Sequence, residues 1–585
     1  MSLDIARLVA FSGISATELQ ISVASSNISN ADTKGYKEKS ANQVATVTGG
    51  VGTGVSITGI SSNVDKLLLK SLIGANSELG AADTTNSYLE QLQQLFGSAS
   101  TSGTSTTGTS LANALASLES ALSSLASSPS SVSLQSAAVS ALDDFASQLR
   151  STSSGVQSLR ANSDKDIASS VKSVNDDLQQ IADLNVQIRK MAAAGQSTAD
   201  LEDQRNSALQ DLSSYMNVSY YTASNGDLQV YTSSGRALVD SSAHTLSYTA
   251  SANVSASSSY SSGGFSGIMV DGVDVTSQIT SGKIGALITL RDQTLPATQT
   301  QLDQLATELK SALNAITNGA SAVPPPTSLT GSASVSSTTA LAASGTVRIA
   351  VADQSGNLVS YKDLDLSSYA TVGDLVTALN GISGVSASLD SSGYLSISAT
   401  SSSNGIAIND MTSSVGGGGF SEYFGMNDLV TGTGAANFAV DSSILSGAAG
   451  LPTGTLDNSA TLTTGSQVLT SGSATIINQL YDKLTGSTSF SSAGGLSATT
   501  GSFADYAAAI VANVASKATQ ASSNYTAKST AQASYASSLS SQSGVNIDEE
   551  TARVSSLQNK YAAASQLISV VNSMFSSLLT AVQST

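Results

Sequence analysis

The 585 residues contain no cysteine and no tryptophan, one histidine and six prolines. Without cysteine there is no disulfide framework, no thiolate nucleophile and no Cys-ligated zinc site. The single histidine, His244, lies in a serine-rich segment. With one histidine, an H-E-x-x-H helix, a His–carboxylate dyad and multi-histidine metal sites all read as excluded by count. Charge is scarce as well, at 11% of residues where an ordinary globular chain has about 25%. The charge present is acidic: 24 Lys plus Arg against 42 Asp plus Glu, a formal net charge of -18. That balance argues against a nucleic-acid interface and against a basic membrane footprint. Residues 1–10 carry Asp4 and Arg7 among their apolar side chains, so a cleaved secretory signal is not expected. No uninterrupted apolar run approaches the roughly 18 residues of a membrane span, and no membrane insertion is expected.

What is present is a hydrophobic fraction of 40%, too high for disorder, set among Ser, Thr, Ala and Gly. Small polar side chains suit close lateral contact without charge repulsion. Leu8, Ser12, Ala16, Leu19 and Val23 are spaced by four, four, three and four, which predicts a helix over about 3–29 with one apolar stripe. At the other end Val554, Leu557, Tyr561, Ala564, Ile568, Val571, Phe575, Leu578 and Val582 alternate three and four, the pattern of a coiled-coil seam. Asn546 is placed to cap this second helix, and Glu549, three residues on, to complete a capping box. Two seams at opposite ends of a chain predict helices that pack on each other first and on neighbouring copies second.

Further seams lie between them. Leu111, Leu115, Leu118, Leu122 and Leu125 end at Pro129; Ile167, Val171, Val174, Leu178, Ile181, Asn185 and Ile188 form a second; Leu302, Leu305, Leu309, Ala312 and Ile316 a third. Asn225-Gly226 between tyrosine-rich flanks predicts a two-residue hairpin. Residues 345–399 read as strand, turn, strand, helix, strand, turn, strand, with Val385, Ala387 and Leu389 answering Leu395, Ile397 and Ala399 across Asp390 to Gly393. The fold class expected is α+β and multidomain. A terminal helical coiled coil (1–60 with 545–585) encloses an elongated helical bundle (61–216 with 286–322 and 461–544). A hairpin-rich segment (217–285) and a β-rich outer domain (323–460) are inserted in the bundle.

No catalytic, cofactor-binding or metal-binding residue is assigned. Phosphate-loop and nucleophile-elbow motifs are missing, and no 12-residue calcium loop occurs. The adjacent carboxylates Asp143-Asp144 and Asp176-Asp177 fall on predicted solvent faces. Those of Asp548-Glu549-Glu550 fall in a first helical turn, where the helix dipole favours negative charge.

Phe11-Ser-Gly-Ile-Ser-Ala16 and Ser26-Asn-Ile-Ser-Asn-Ala-Asp-Thr-Lys-Gly-Tyr-Lys37 resemble the shared N-terminus of flagellar rod, hook and hook-associated axial proteins. Ser543-Gly-Val-Asn-Ile-Asp-Glu-Glu550, Leu201-Glu-Asp-Gln-Arg205 and Gly285-Ala-Leu-Ile-Thr-Leu-Arg-Asp292 resemble the hook-associated protein 1 family in particular. Lys34 departs from the pattern, which often has proline before Gly35. The resemblance implies a non-enzymatic structural protein of the bacterial flagellum at the hook–filament junction. It further implies type III export, with the chain transiently cytoplasmic and then extracellular. Partners implied are copies of itself in a ring, the hook protein, hook-associated protein 3 on the filament side and an export chaperone. The positions expected to carry assembly are Leu8, Leu19, Val23, Leu557, Tyr561, Ile568, Val571, Phe575 and Leu578, with Asn30, Gly35 and Tyr36 as a loop motif and Asn546 and Glu549 as a cap. A rod or hook subunit is the nearest alternative, and a secreted adhesin using the Ser/Thr/Gly-rich insertion a further one.

Overall fold

The computed structural model describes residues 3–33, 35–97, 110–470 and 473–583. Lys34 lies outside them. Helix α1 (Leu3–Ser29) leads through a loop into a two-stranded antiparallel ribbon, β1 (Lys39–Thr48) and β2 (Val51–Ser62). Then come α2 (Lys66–Leu95), α3 (Leu111–Ser127), α4 (Val132–Ala193) and α5 (Ala199–Tyr215). After a segment of short strands follow α6 (Gly282–Thr289) and α7 (Leu295–Thr317). The outer β module contains α8 (Val372–Asn380), α9 (Phe420–Phe424) and α10 (Ser442–Leu445). The chain returns through α11 (Thr475–Thr485), α12 (Phe503–Ser543) and α13 (Ile547–Gln583).

Helix α4 is the spine. It runs 62 residues without proline, is started by Ser131, whose hydroxyl accepts from Leu134 N–H at 3.4 Å, and ends before Gly195 at φ +69. Phe145, Leu149, Val156, Ile167, Val174, Leu178 and Ile181 are wholly buried along it, so its stability comes from the core it covers and not from propensity. Helix α12 returns along α2, tied to it by Lys528 to Glu78 at 2.8 Å and Gln532 to Asn76 at 3.0 Å. The short strands between α5 and α6 are clamped to α4 by a buried ionic cluster. Arg291 sits in a π-turn between α6 and α7, pairs with Asp164 of α4 at 2.9 Å, and stacks over Phe265 at 4.4 Å. Arg160, also buried, donates to the carbonyls of Ser255 (2.9 Å) and Ser258 (2.6 Å). Removing either arginine would strand buried carbonyls or a carboxylate.

In the outer module one sheet joins strands Leu358–Asp365, Thr346–Asp353 and Asn404–Asn409, and a second joins Ser328–Ser334, Tyr394–Ala399 and Val385–Leu389. Val385 faces Ala399, Ala387 faces Ile397 and Leu389 faces Leu395, the register that the alternation predicts. A separate core of Val347, Ile349, Leu375, Ile397, Ile406 and Phe420 fills it.

Four local expectations are corrected. The ribbon of residues 39–62 has no counterpart in the sequence reading, because its exposed Ser, Thr, Gly and Val give no clean alternation. Asn225-Gly226 is not a two-residue turn: Thr222 pairs with Leu228 and five residues intervene, since only Gly226 takes a positive φ where the tight turn needs two. His244 does stand between carboxylates, its Nδ1 2.9 Å from Asp271 and its Nε2 3.2 Å from Asp240. Finally, Asp177 is not on a solvent face. Its Oδ2 is buried without a hydrogen-bond partner, and burial pushes its carboxyl up to about 7, with Asp211 and Asp176 adding repulsion.

The folded Asp177 carboxyl therefore keeps its proton to higher pH than the unfolded one. Its contribution to stability is present in acid and is lost as pH rises toward about 7. We expect Asp177→Asn to raise Tm at about pH 8 and to leave it unchanged at about pH 4; equal shifts at both values in calorimetry would rule this assignment out.

Candidate functional site

The chain ends meet. Helices α1 and α13 pack lengthwise on each other, and α1 also packs on the β1–β2 ribbon. On α13 the seam side turns inward: Leu557 and Val571 are buried, and Val554, Ala564, Ile568 and Phe575 are half-buried. On α1 the inward residues are Ala10, Ala16, Thr17, Val23 and Ala24, mostly small, which lets the two backbones approach closely. Of the expected α1 packing positions only Val23 is inside this pair. Leu8 is 56% exposed and Leu19 39%, and Phe11 beside them is 63% exposed. Tyr561 and Leu578 on α13 are likewise exposed.

The sequence reading missed a second stripe on α13. Leu567, Val570, Met574 and Leu578 follow one another at three, four and four residues, and all are about half exposed. Val570, Met574 and Leu578 line a shallow groove with Gln566, Ser569, Ser573 and Ser577. Helix α13 thus has two apolar faces, one covered by α1 and one open. By length and composition α1 and a stretch within residues 503–583 also match a membrane span, with mean hydropathy of 1.2 and 1.3, which the search for uninterrupted runs did not register.

The helix pair is fastened to the body by a polar knot built from the loop motif. Asn27, fully buried on the last turn of α1, accepts from Lys39 N–H (3.1 Å) and from the Tyr36 hydroxyl (2.9 Å), and donates to the Lys39 carbonyl (2.9 Å). Asn30 closes the helix end by donating to Ser26 O at 2.9 Å. Gly35 has φ +85, a backbone conformation that favours glycine, and a Cβ there would stand 2.4 Å from Ser207 Oγ of α5, so the loop lies close against the body. The Tyr36 ring covers the Lys39 ammonium at 3.8 Å. That ammonium pairs with Asp200 and lies 3.8 Å from Asp203 of α5. Asp203 in turn accepts from Lys37 N–H (3.1 Å) and Ser62 Oγ (2.9 Å), and burial pushes its carboxyl above the usual range.

The C-terminal side enters the same knot. Ser543 ends α12, its carbonyl accepting from Glu38 N–H (2.9 Å) and its hydroxyl from Asp65 N–H (3.1 Å). Asn546 caps α13, its Oδ1 3.1 Å from Asp548 N and 3.4 Å from Glu549 N. Among the described contacts Glu549 makes no return bond. Complete capping boxes occur instead at Thr371–Asp374 and Ser502–Asp505. The acid that turns inward is Glu550.

Four family models match in chain order: Flagella basal body rod protein over 8–37, Flagellar hook-associated protein FlgK helical domain over 79–322, Flagellin hook IN motif over 346–401, and Flagellar basal body rod FlgEFG protein C-terminal over 536–581. Flagellar hook-associated protein 1 of Salmonella typhimurium is 24% identical over 314 residues, covering 52% of this chain and 55% of that protein. Its Escherichia coli K12 counterpart is 23% identical over 313 residues with the same coverage. The chain is similar to the flagellar hook-associated protein 1 family over about half of its length. The matched region spans about half the length of these curated relatives. The flagellar hook junction protein FlgK from Burkholderia pseudomallei, a solved structure, aligns over 80% of this chain and 98% of its own at 17% identity, with a TM-score of 0.47. The two terminal family models fall on α1 with its loop and on the end of α12 with α13, the paired unit described above.

Asn27→Ala orphans the Lys39 N–H and carbonyl. We expect it to destabilise the α1–loop–β1 corner by about 1–3 kcal/mol and to open it to protease while the body resists; denaturation indistinguishable from the parent would contradict the role given to Asn27.

Proposed function

We propose that this chain is a structural subunit of the bacterial flagellum, at the junction between hook and filament, that self-assembles through its paired terminal helices outside the cell after type III export. The observation that carries the reading is the open apolar stripe of α13 together with exposed Leu8, Phe11 and Leu19 of α1, on two helices packed against each other. An apolar face of that length needs a partner of matching shape, and side-by-side copies of a charge-poor two-helix unit supply one without bringing like charges together. Leu8, Leu19, Tyr561 and Leu578 then act between copies, while Val23, Leu557, Ile568, Val571 and Phe575 hold each pair together. The polar knot fixes the angle at which the pair leaves the body. The bundle and the β module stand outward of it, following the nested division into terminal, bundle and outer units. The hook protein on one side, hook-associated protein 3 on the other and an export chaperone are the partners this reading implies.

Val570→Asp with Met574→Asp touches only the open stripe. The variant is expected to be secreted and folded, with parental circular dichroism, yet to leave cells with bare hooks and flagellin in the medium when it replaces the parent gene. Filaments of normal number on such cells would sink the assignment of that face, and loss of hooks in a gene deletion would move the protein to rod or hook.

A further inference from the structure

Glu550 lies in the first turn of α13, where a carboxylate normally faces water, yet its side chain is 2% exposed. Arg553 Nη1 reaches it at 2.6 Å, and the same nitrogen reaches Glu38 Oε1 at 3.0 Å. Glu38 is itself only 18% exposed. Glu550 Oε2 is sealed from solvent and makes no hydrogen bond of good geometry. The groups facing Glu550 are Glu38 from the loop before β1, Arg553 from its own helix and the neutral amide of Asn27 from α1. Two carboxyl groups thus converge on one half-exposed guanidinium, leaving one buried negative charge uncompensated if both ionise.

We propose that Glu550, buried beside Glu38 with a single arginine between the two acids, is a pH-sensitive latch that fastens α13 to the body at the base of the terminal pair. Burial pushes the Glu550 carboxyl above the ordinary glutamate range, the neighbouring Glu38 charge pushes the same way, and Arg553 only partly opposes this. The docked state therefore binds more protons than the undocked state in that range. Docking is fully favoured in acid and weakens as pH rises through the raised value. An ordinary arginine–glutamate ion pair would have the opposite sign, tightening as the carboxylates ionise. The latch is a property of the single chain and does not depend on the assembly role proposed above. Its consequence is mechanical: pH sets how rigidly the terminal pair is held at one angle to the body.

The test is native-state hydrogen exchange of the full chain, reading the amides at the start of α13 between about pH 5 and pH 8 and correcting for intrinsic exchange. In the parent the opening constant is expected to rise across that range. Glu550→Gln should keep the protected state and remove the pH dependence, and Glu38→Gln should reduce it. Protection that grows with pH in the parent, or a pH profile unchanged in Glu550→Gln, would overturn the proposal.

Discussion

Everything in this molecule follows from the requirement that its two ends meet. Helix α13 has an apolar seam that α1 alone covers, yet some five hundred residues separate them, so the chain between must leave and come back to one point. It does so by nesting: helices α2 to α7 go out, the β module is threaded between them and the returning α11 and α12, and the long α4 supplies the common wall. Closing so long a loop is entropically tolerable only because each intervening unit has a core of its own, and the structure separates the helical core from that of the β module.

The corner where the ends meet is polar, not apolar. Asn27, Lys39, Asp203, Ser543 and Glu550 are all buried there, and Asn27, Asp203 and Ser543 pair main-chain donors and acceptors that a helix end, a ribbon start and a helix break leave open. Such a corner is directional in a way a greasy contact is not. It restricts the angle at which the terminal pair meets the body. Arg160, Arg291 and Asp164 do the equivalent job deeper in the body, where they hold irregular backbone against α4.

The apolar surface is divided with the same logic. The inner α1–α13 seam uses Ala, Thr and Val on one side and larger residues on the other, which favours close intramolecular packing. The larger residues of α1, Leu8, Phe11 and Leu19, are turned outward with the second stripe of α13. A helix that keeps its bulkiest side chains in water when alone is incomplete alone, and this is also why composition by itself puts α1 and part of 503–583 in the range of membrane spans.

The heptads of residues 554–582, the leucine seams of α3 and α4, the alternation in 346–399 and the Asn546 cap were legible locally, because period and cap chemistry depend on neighbours within a few residues. So was the motif Asn30, Gly35 and Tyr36, whose resemblance pointed to the family. What no local pattern contained was which face of α1 would be covered, that Glu550 and not Glu549 would be the acid turned inward, and that Asp177 would lie against Asp211. Each of those depends on how separate elements pack, α1 with α13, Glu38 with Arg553, α4 with α5, and burial of a charge is settled only when such elements arrive at the same place.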